Sequence, residues 1–200
     1  YISSTIIDGN GENVVVKIIN GEQSCSLEGF TIRNGYGWSG IGTTSGGILI
    51  QNASSLLKNL IVEENIGENG RGIMVKYSDV NIYNSIVRNN NEGNSAGGIY
   101  CHNSNFIGDN LEIYNNSGSI GGAGILIDNN VQNTRSVTIN NSKIFDNVSG
   151  TGGGGLGLNN SNVLLENTVI YNNTGYNAGG GIKTNGTYSN TTINNCTIAN

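Results

Sequence analysis

The sequence has no proline, and only 12% of its 200 residues carry a charge. A disordered, solvated tail needs far more charge than that, so this class is excluded. Basic residues are scarce too: nine Lys and Arg stand against 14 Asp and Glu, for a net charge of -5. Phosphate backbones are gripped by clustered Lys and Arg, which excludes nucleic acid as a partner. No apolar run approaches the ~18 residues of a membrane span. Tyr1 starts in mid-pattern, without the charged, apolar and cleavable regions of a signal peptide. The chain therefore reads as a piece of a longer one. Cys25, Cys101 and Cys196 are odd in number and far apart, so they read as three small buried hydrophobes that say nothing about redox compartment.

What is abundant is glycine, 32 residues of it, together with Asn and with short runs of Val, Ile, Thr and Tyr. Gly and Asn are poor helix formers and the β-branched residues favour strands, so strands and turns are expected. A Gly-Ile or Gly-Leu pair recurs at Gly47, Gly72, Gly98, Gly124, Gly155 and Gly181, in steps of 25, 26, 26, 31 and 26 residues. A period in this range marks a repeat architecture.

Alternation sets the register within each repeat. After the glycine, Ile48 and Ile50, Ile73 and Val75, Ile99 and Cys101, Ile125 and Ile127, and Leu156 and Leu158 mark a short strand with one buried face. A second alternating pair follows, as in Val80 and Ile82 or Val163 and Leu165. Then comes an Asn (Asn59, Asn84, Asn110, Asn141, Asn167, Asn195) and a third strand beginning one residue later. Three short strands in ~25 residues cannot bury a face alone. Coiled so that each strand pairs with its equivalents above and below, they enclose a continuous core. The expected fold is all-β: a single-stranded right-handed parallel β-helix of about seven rungs, its hand following the usual rule for parallel crossovers. It is expected to form one repeat domain over 1–200, with irregular first rungs over 1–45 and regular ~26-residue rungs over 46–200. In the first part Val16 and Ile18 fill the first-strand position, and Phe30 and Ile32 the third. The 31-residue step places an insertion around Asn130 to Arg135 at the first bend. Asn at the second bend tolerates the left-handed conformation and can bond its equivalent one rung away, so an Asn ladder is expected there.

Repeats reading Gly-Gly-x-Ile, followed by a large apolar residue and x-x-Asn (Val62 to Asn65, Val87 to Asn90, Ile113 to Asn116, Ile144 to Asn147, Ile170 to Asn173), resemble those of the chlamydial polymorphic outer-membrane proteins. They are equally similar to the broader set of bacterial and archaeal surface proteins with right-handed β-helix repeats, within the pectate-lyase-like superfamily. The resemblance covers Glu28 to Asn200, and departs from the chlamydial motif in having Ile or Val where that motif has Phe. It implies an extracellular or cell-surface domain, often adhesive. The same superfamily holds lyases, hydrolases and phage depolymerases, and fold does not fix chemistry.

Catalysis on such a scaffold calls for outward carboxylates on the first strand. The middle outward position reads Leu49, Met74, Tyr100, Leu126, Gly157, Lys183, and none is acidic. The next reads Gln51, Lys76, His102, Asp128, Asn159, Asn185. Lys76, His102 and Asp128 are the weak catalytic candidates: a His beside a carboxylate can act as a general base. A glycosidase, however, wants two carboxylates ~5 to 9.5 Å apart, so no catalytic residue is expected here and an enzyme would need acids from flanking sequence. Asp8-Gly9-Asn10-Gly11-Glu12 invites calcium but lacks the spacing of an EF-hand loop and reads as a turn. No cofactor or metal is expected. The binding candidates are the outward third-strand column Tyr114, Phe145 and Tyr171, with Tyr100 on an exposed apolar first-strand strip and Trp38 in a glycine-rich bend. Aromatic surface of this kind suits a glycan or a surface protein. Nine Asn-x-Ser/Thr sequons follow from composition alone. Solenoid ends without polar caps lead to an expectation of end-to-end self-association.

Overall fold

The computed structural model describes residues 4–21, 24–37, 45–91, 96–129 and 135–199. Over them the chain coils through seven turns in which every strand pairing is parallel. The first strands are Val16–Ile19, Ile48–Gln51, Ile73–Lys76, Ile99–His102, Ile125–Asp128, Leu156–Asn159 and Ile182–Asn185, stacked in that order in one seven-stranded sheet. The second and third strands form a second sheet of 13 strands. Cys25–Glu28 and Thr31–Arg33 belong to the same turn as Val16–Ile19, and Ile6–Asp8 adds one more third strand against Thr31–Arg33.

The alternation in the sequence is the alternation of the walls. Ile48, Ile50, Ile73, Val75, Ile99, Cys101, Ile125, Ile127, Leu156 and Leu158 are fully buried at the predicted inward positions. Val80, Ile82, Val137, Ile139 and Leu165 line the second wall, and Val62, Val87, Ile113, Ile144 and Ile170 the third. Phe30 is half-buried against the same core. Cys25, Cys101 and Cys196 are free thiols on three different turns; burial pushes the Cys101 thiol up to about 12. Each is inward or packed against the core, as small hydrophobes are.

Corners are made by single residues in the left-handed conformation. Asn59, Asn84, Asn110, Asn141, Asn167 and Asn195 have φ between 48° and 53°, a region Asn visits at low cost. So tight is this bend that Asp79–Arg88 and Asn105–Tyr114 each run through it as one ten-residue strand. The corner amides bond along the axis: Asn110 Nδ2 donates to Asn84 Oδ1 at 2.9 Å and Asn195 Nδ2 to Asn167 Oδ1 at 2.7 Å. Elsewhere the acceptor is another polar neighbour, Glu28 for Asn59, Asp109 for Asn141 and Asn140 for Asn167.

The unbroken ladder lies at the third bend instead. Asn65, Asn90, Asn116, Asn147 and Asn173 are all buried. The side-chain amide of each of the first four donates to the Oδ1 of the next Asn at 3.0–3.1 Å, and that same Oδ1 accepts the backbone N–H of the donating Asn. The second amide hydrogen caps a third-strand carbonyl of the preceding turn, such as Val87 O for Asn116 and Ile113 O for Asn147. A buried amide is tolerable only when its donors and acceptor are satisfied, and here they are.

One expectation is corrected. The outward first-strand strip of Leu49, Met74 and Leu126 is not exposed: these side chains are 7%, 2% and 5% accessible. Glycine-rich bends fold back over them. A Cβ on Gly121 would lie 2.5 Å from Leu126 Cδ2, and one on Gly70 2.7 Å from the Cβ of Tyr100, so the absence of a side chain is what lets these backbones lie down on the sheet. Arg71 and Glu68, in the bend of the second full turn, are the charged residues buried among those described.

Candidate functional site

The outward third-strand column is in register across eight third strands and the seven pairings between them: Asp8, Arg33, Glu63, Arg88, Tyr114, Phe145, Tyr171 and Ala199. Its lower half is electrostatic. Arg33 Nε donates to Asp8 Oδ2 at 2.9 Å, and Arg88 Nε to Glu63 Oε2 at 2.7 Å. Arg88 then hands over to the aromatic half, Nη1 donating to Tyr114 Oη at 2.8 Å while the guanidinium sits 5.9 Å from the ring centroid. Tyr114 and Phe145 stack at 4.7 Å with 11° between planes, and Phe145 and Tyr171 at 4.9 Å with 3°.

That geometry decides what a partner can touch. The rings lie nearly parallel at rung spacing, so the faces that Tyr114, Phe145 and Tyr171 turn toward one another are covered. Phe145 is sandwiched. What points to solvent is a strip of ring edges about 10 Å long, bearing the hydroxyls of Tyr114 and Tyr171. Edges carry the positive part of the aromatic quadrupole, and they meet acceptor groups better than the apolar face of a sugar.

Lys76, His102 and Asp128 are adjacent in register on the first-strand sheet. His102 Nδ1 is 3.4 Å from Asp128 Oδ2, and Tyr100 Oη donates to that oxygen at 3.1 Å. Asn103 Nδ2 donates to His102 Nε2 at 2.9 Å. With Nε2 accepting, the Nδ1 proton faces the carboxylate. The Asp128 carboxyl is held below its usual range, first by the hydrogen bond to His102, with burial opposing and Tyr100 and Asn159 adding to the lowering. Burial, then the Asp128 charge, pushes the Tyr100 hydroxyl up. Tyr100 is therefore tied into this cluster, half-buried beside a covered column, and is not part of an open apolar strip. Trp38 lies outside the described residues.

Lys76 turns away toward Tyr77, its Nζ 5.4 Å from that ring. Tyr77 also packs edge-on against His102 at 5.6 Å. It was not among the sequence candidates, although the signal was present. The residue after the first strand is Asn20, Asn52, Asn103, Asn129, Asn160 or Gly186 in the other turns, and Tyr only here.

The run from Asp8 to Glu12 is a turn. Asn10 N–H donates to Asp8 Oδ1 at 3.0 Å and Glu12 N–H to Gly9 O at 3.1 Å. The Asp8 carboxyl is held below its ordinary value, first by that Asn10 bond and then by Arg33. Both its oxygens are engaged by Asn34 as well.

Seven stacked turns of short parallel strands, cornered by left-handed Asn and sealed by side-chain ladders, define a parallel β-solenoid. The chain belongs to the right-handed β-helix family, whose model, described as "Right handed beta helix region", matches residues 13–198. No curated protein and no solved structure matches it significantly.

Proposed function

We propose that this chain is a noncatalytic extracellular or cell-surface module, structural and adhesive, that meets a partner through its outward third-strand column. The observation carrying the reading is the continuous stack Arg88, Tyr114, Phe145, Tyr171, preorganised by rung spacing at 4.7 and 4.9 Å. A rigid strip costs little entropy on binding. Because edges and hydroxyls face outward, the column favours a protein partner offering carbonyl or carboxylate oxygens over a stacked glycan. The placement outside the cell is supported by the resemblance of its repeats to those of surface proteins. Screening immobilised peptide and glycan arrays tests this reading. Phe145→Ser should weaken a captured protein ligand several-fold, and a Tyr114, Phe145 and Tyr171 triple Ser variant should lose it. Undiminished binding by the triple variant removes the column from the interface.

A second reading, a polysaccharide lyase or glycoside hydrolase, draws on the Tyr100, His102 and Asp128 cluster. It supplies one carboxylate where hydrolysis of a glycosidic bond wants two. Incubation with pectin, polygalacturonate and alginate, with and without calcium, should release neither unsaturated products nor reducing ends. Turnover abolished by His102→Ala or Asp128→Ala would establish the enzyme reading in its place.

A further inference from the structure

The turns of this solenoid are so alike that departures from the repeat stand out, and two of them meet at the first bend. The first is Tyr77. After the first strand the chain turns through a left-handed residue, and that residue is Asn20, Asn52, Asn103 or Asn160 with φ of 46–64°, or Gly186. Tyr77 adopts the same conformation with φ 52°. Asn and Gly accept that region readily, whereas a bulky side chain is strained in it. The strain is not repaid by burial, since Tyr77 is 46% exposed. Strained residues that persist in an otherwise consistent fold mark function.

The second departure is the 31-residue step, whose extra residues fall at this bend between Asp128 and Ser136. From its far end Arg135 reaches back two turns, its Nη1 3.6 Å from Asp79 Oδ1. Asp79 is also fixed by Asn105 Nδ2 at 2.7 Å, and Asn105 Oδ1 in turn accepts the Ser136 N–H. Tyr77, Asp79 and Arg135 line, with Asn52 and Ser54, a cleft of about 300 Å3. That volume is at the lower end of the ~300–1,000 Å3 of small-ligand sites.

We propose that this first-bend cleft is a saccharide subsite, with Tyr77 as the platform for one pyranose ring and Asp79, Arg135 and Asn52 as its hydroxyl-directed hydrogen-bonding groups. The chemistry fits the ligand. In contrast to the stacked column, Tyr77 meets its aromatic neighbour His102 at 71°, edge to ring, and is not sealed between parallel rings; with Lys76 Nζ 5.4 Å from the ring centroid it still stays 46% exposed where it lines the cleft. An exposed aromatic ring packs against the apolar C–H face of a sugar. Around it, planar Asp, Asn and Arg side chains carry fixed pairs of donors or acceptors, the geometry that vicinal hydroxyls require. The subsite is separate from the third-strand column and does not depend on it.

The test uses the full chain and two immobilised probe sets, neutral oligosaccharides (chito- and cello-oligomers) and oligogalacturonides, the second reporting whether a sugar carboxylate adds to the ring. Binding of the parent to either set is expected, with Tyr77→Asn weakening it at least tenfold and Tyr77→Phe leaving it largely intact. Tyr77→Asn restores the residue of the other turns, so it should also raise the melting temperature by roughly 2–4 °C, the relief of ~1 kcal/mol of strain in a chain of this size. Phe145→Ser should leave this binding unchanged, which separates the subsite from the column. Failure of the parent to bind either set at millimolar concentration overturns the proposal. So does a Tyr77→Asn variant that binds as the parent does, or one that melts lower, which would make Tyr77 a packing residue.

Discussion

Phe106 fills the space that Gly108, two residues along the same strand, leaves empty. A Cβ on Gly108 would lie 2.9 Å from Phe106 Cε1 and 2.8 Å from Leu111 Cδ1. The turns on either side divide the same volume differently, as Val80 with Ile82 and Val137 with Ile139. Gly108→Ile alone should therefore overpack the core and cost ~1–3 kcal/mol, and Phe106→Val alone should leave a cavity costing ~2 kcal/mol. Combined, they recreate the neighbouring pair. The double variant should recover most of the loss, a coupling that urea unfolding of the four proteins measures directly.

The two sets of Asn should respond differently to mutation. Asn116→Ala strands the Asn90 N–H and the Val87 carbonyl in a buried wall, and should cost roughly 3 kcal/mol. Asn110 is exposed and keeps one amide bond to Asn84, so Asn110→Ala should cost ~1 kcal/mol, mostly because alanine lacks the polar side chain whose local hydrogen bonds let Asn sit in the left-handed region. Asn110→Gly should be close to neutral, as glycine has no such penalty. Equal losses at the two positions in thermal melts would contradict this division.

Acid should release the Asp128 contribution. Its carboxyl is lowered in the folded chain, so the stability it supplies is complete above the unfolded value of ~3.9 and disappears as pH falls through the folded value. Its side chain is 34% exposed, which screens the bond to ~1 kcal/mol. Parent and Asp128→Asn should differ by about that amount at pH 7 and converge only once the pH has fallen below the lowered folded value. A gap that persists in acid would mean that shape, not charge, sets the role of this residue.

Phe145 makes two of the stacked contacts, each contributing ~0.5–1.5 kcal/mol. Phe145→Ser should lower stability by ~1–2 kcal/mol while keeping the far-ultraviolet circular dichroism of the parent. Loss of the β signal would place the ring in the core.

The walls of this molecule were legible because a 26-residue period and a two-residue alternation each have one physical meaning. Ile48, Ile73, Ile99 and Ile125 recur at the same point after a glycine, and only a stacked coil buries them together. The cover over Leu49, Met74 and Leu126 was not legible. It depends on where glycine backbones lie relative to strands of the next turn, a relationship with no signature in local pattern. A Cβ on Gly152 would fall on the Gly121 carbonyl, and one on Gly122 would lie 2.6 Å from the backbone N of Gly157; these contacts exist only once the turns are stacked. The stacked column was visible as Tyr114, Phe145 and Tyr171 in register, but composition says nothing about ring planes. Tyr77 was hidden for the opposite reason. Its meaning lies in its difference from Asn52 and Asn103, and a search for what repeats passes over the residue that does not.

The third-bend amides also give the rod a sense of direction. Neighbouring sheet strands carry almost no net dipole, yet from Asn65 to Asn147 each side-chain amide sends one N–H to the Oδ1 of the next turn, and from Asn65 to Asn173 every Oδ1 accepts from the previous one. Five aligned amide dipoles make the coil vectorial: one end offers acceptors, the other donors. Turns can be added to such a structure by duplication of a repeat in the gene, each keeping the polarity of the last, whereas an inverted turn would set like groups against each other. The rod lengthens without ever acquiring a mirror-like middle.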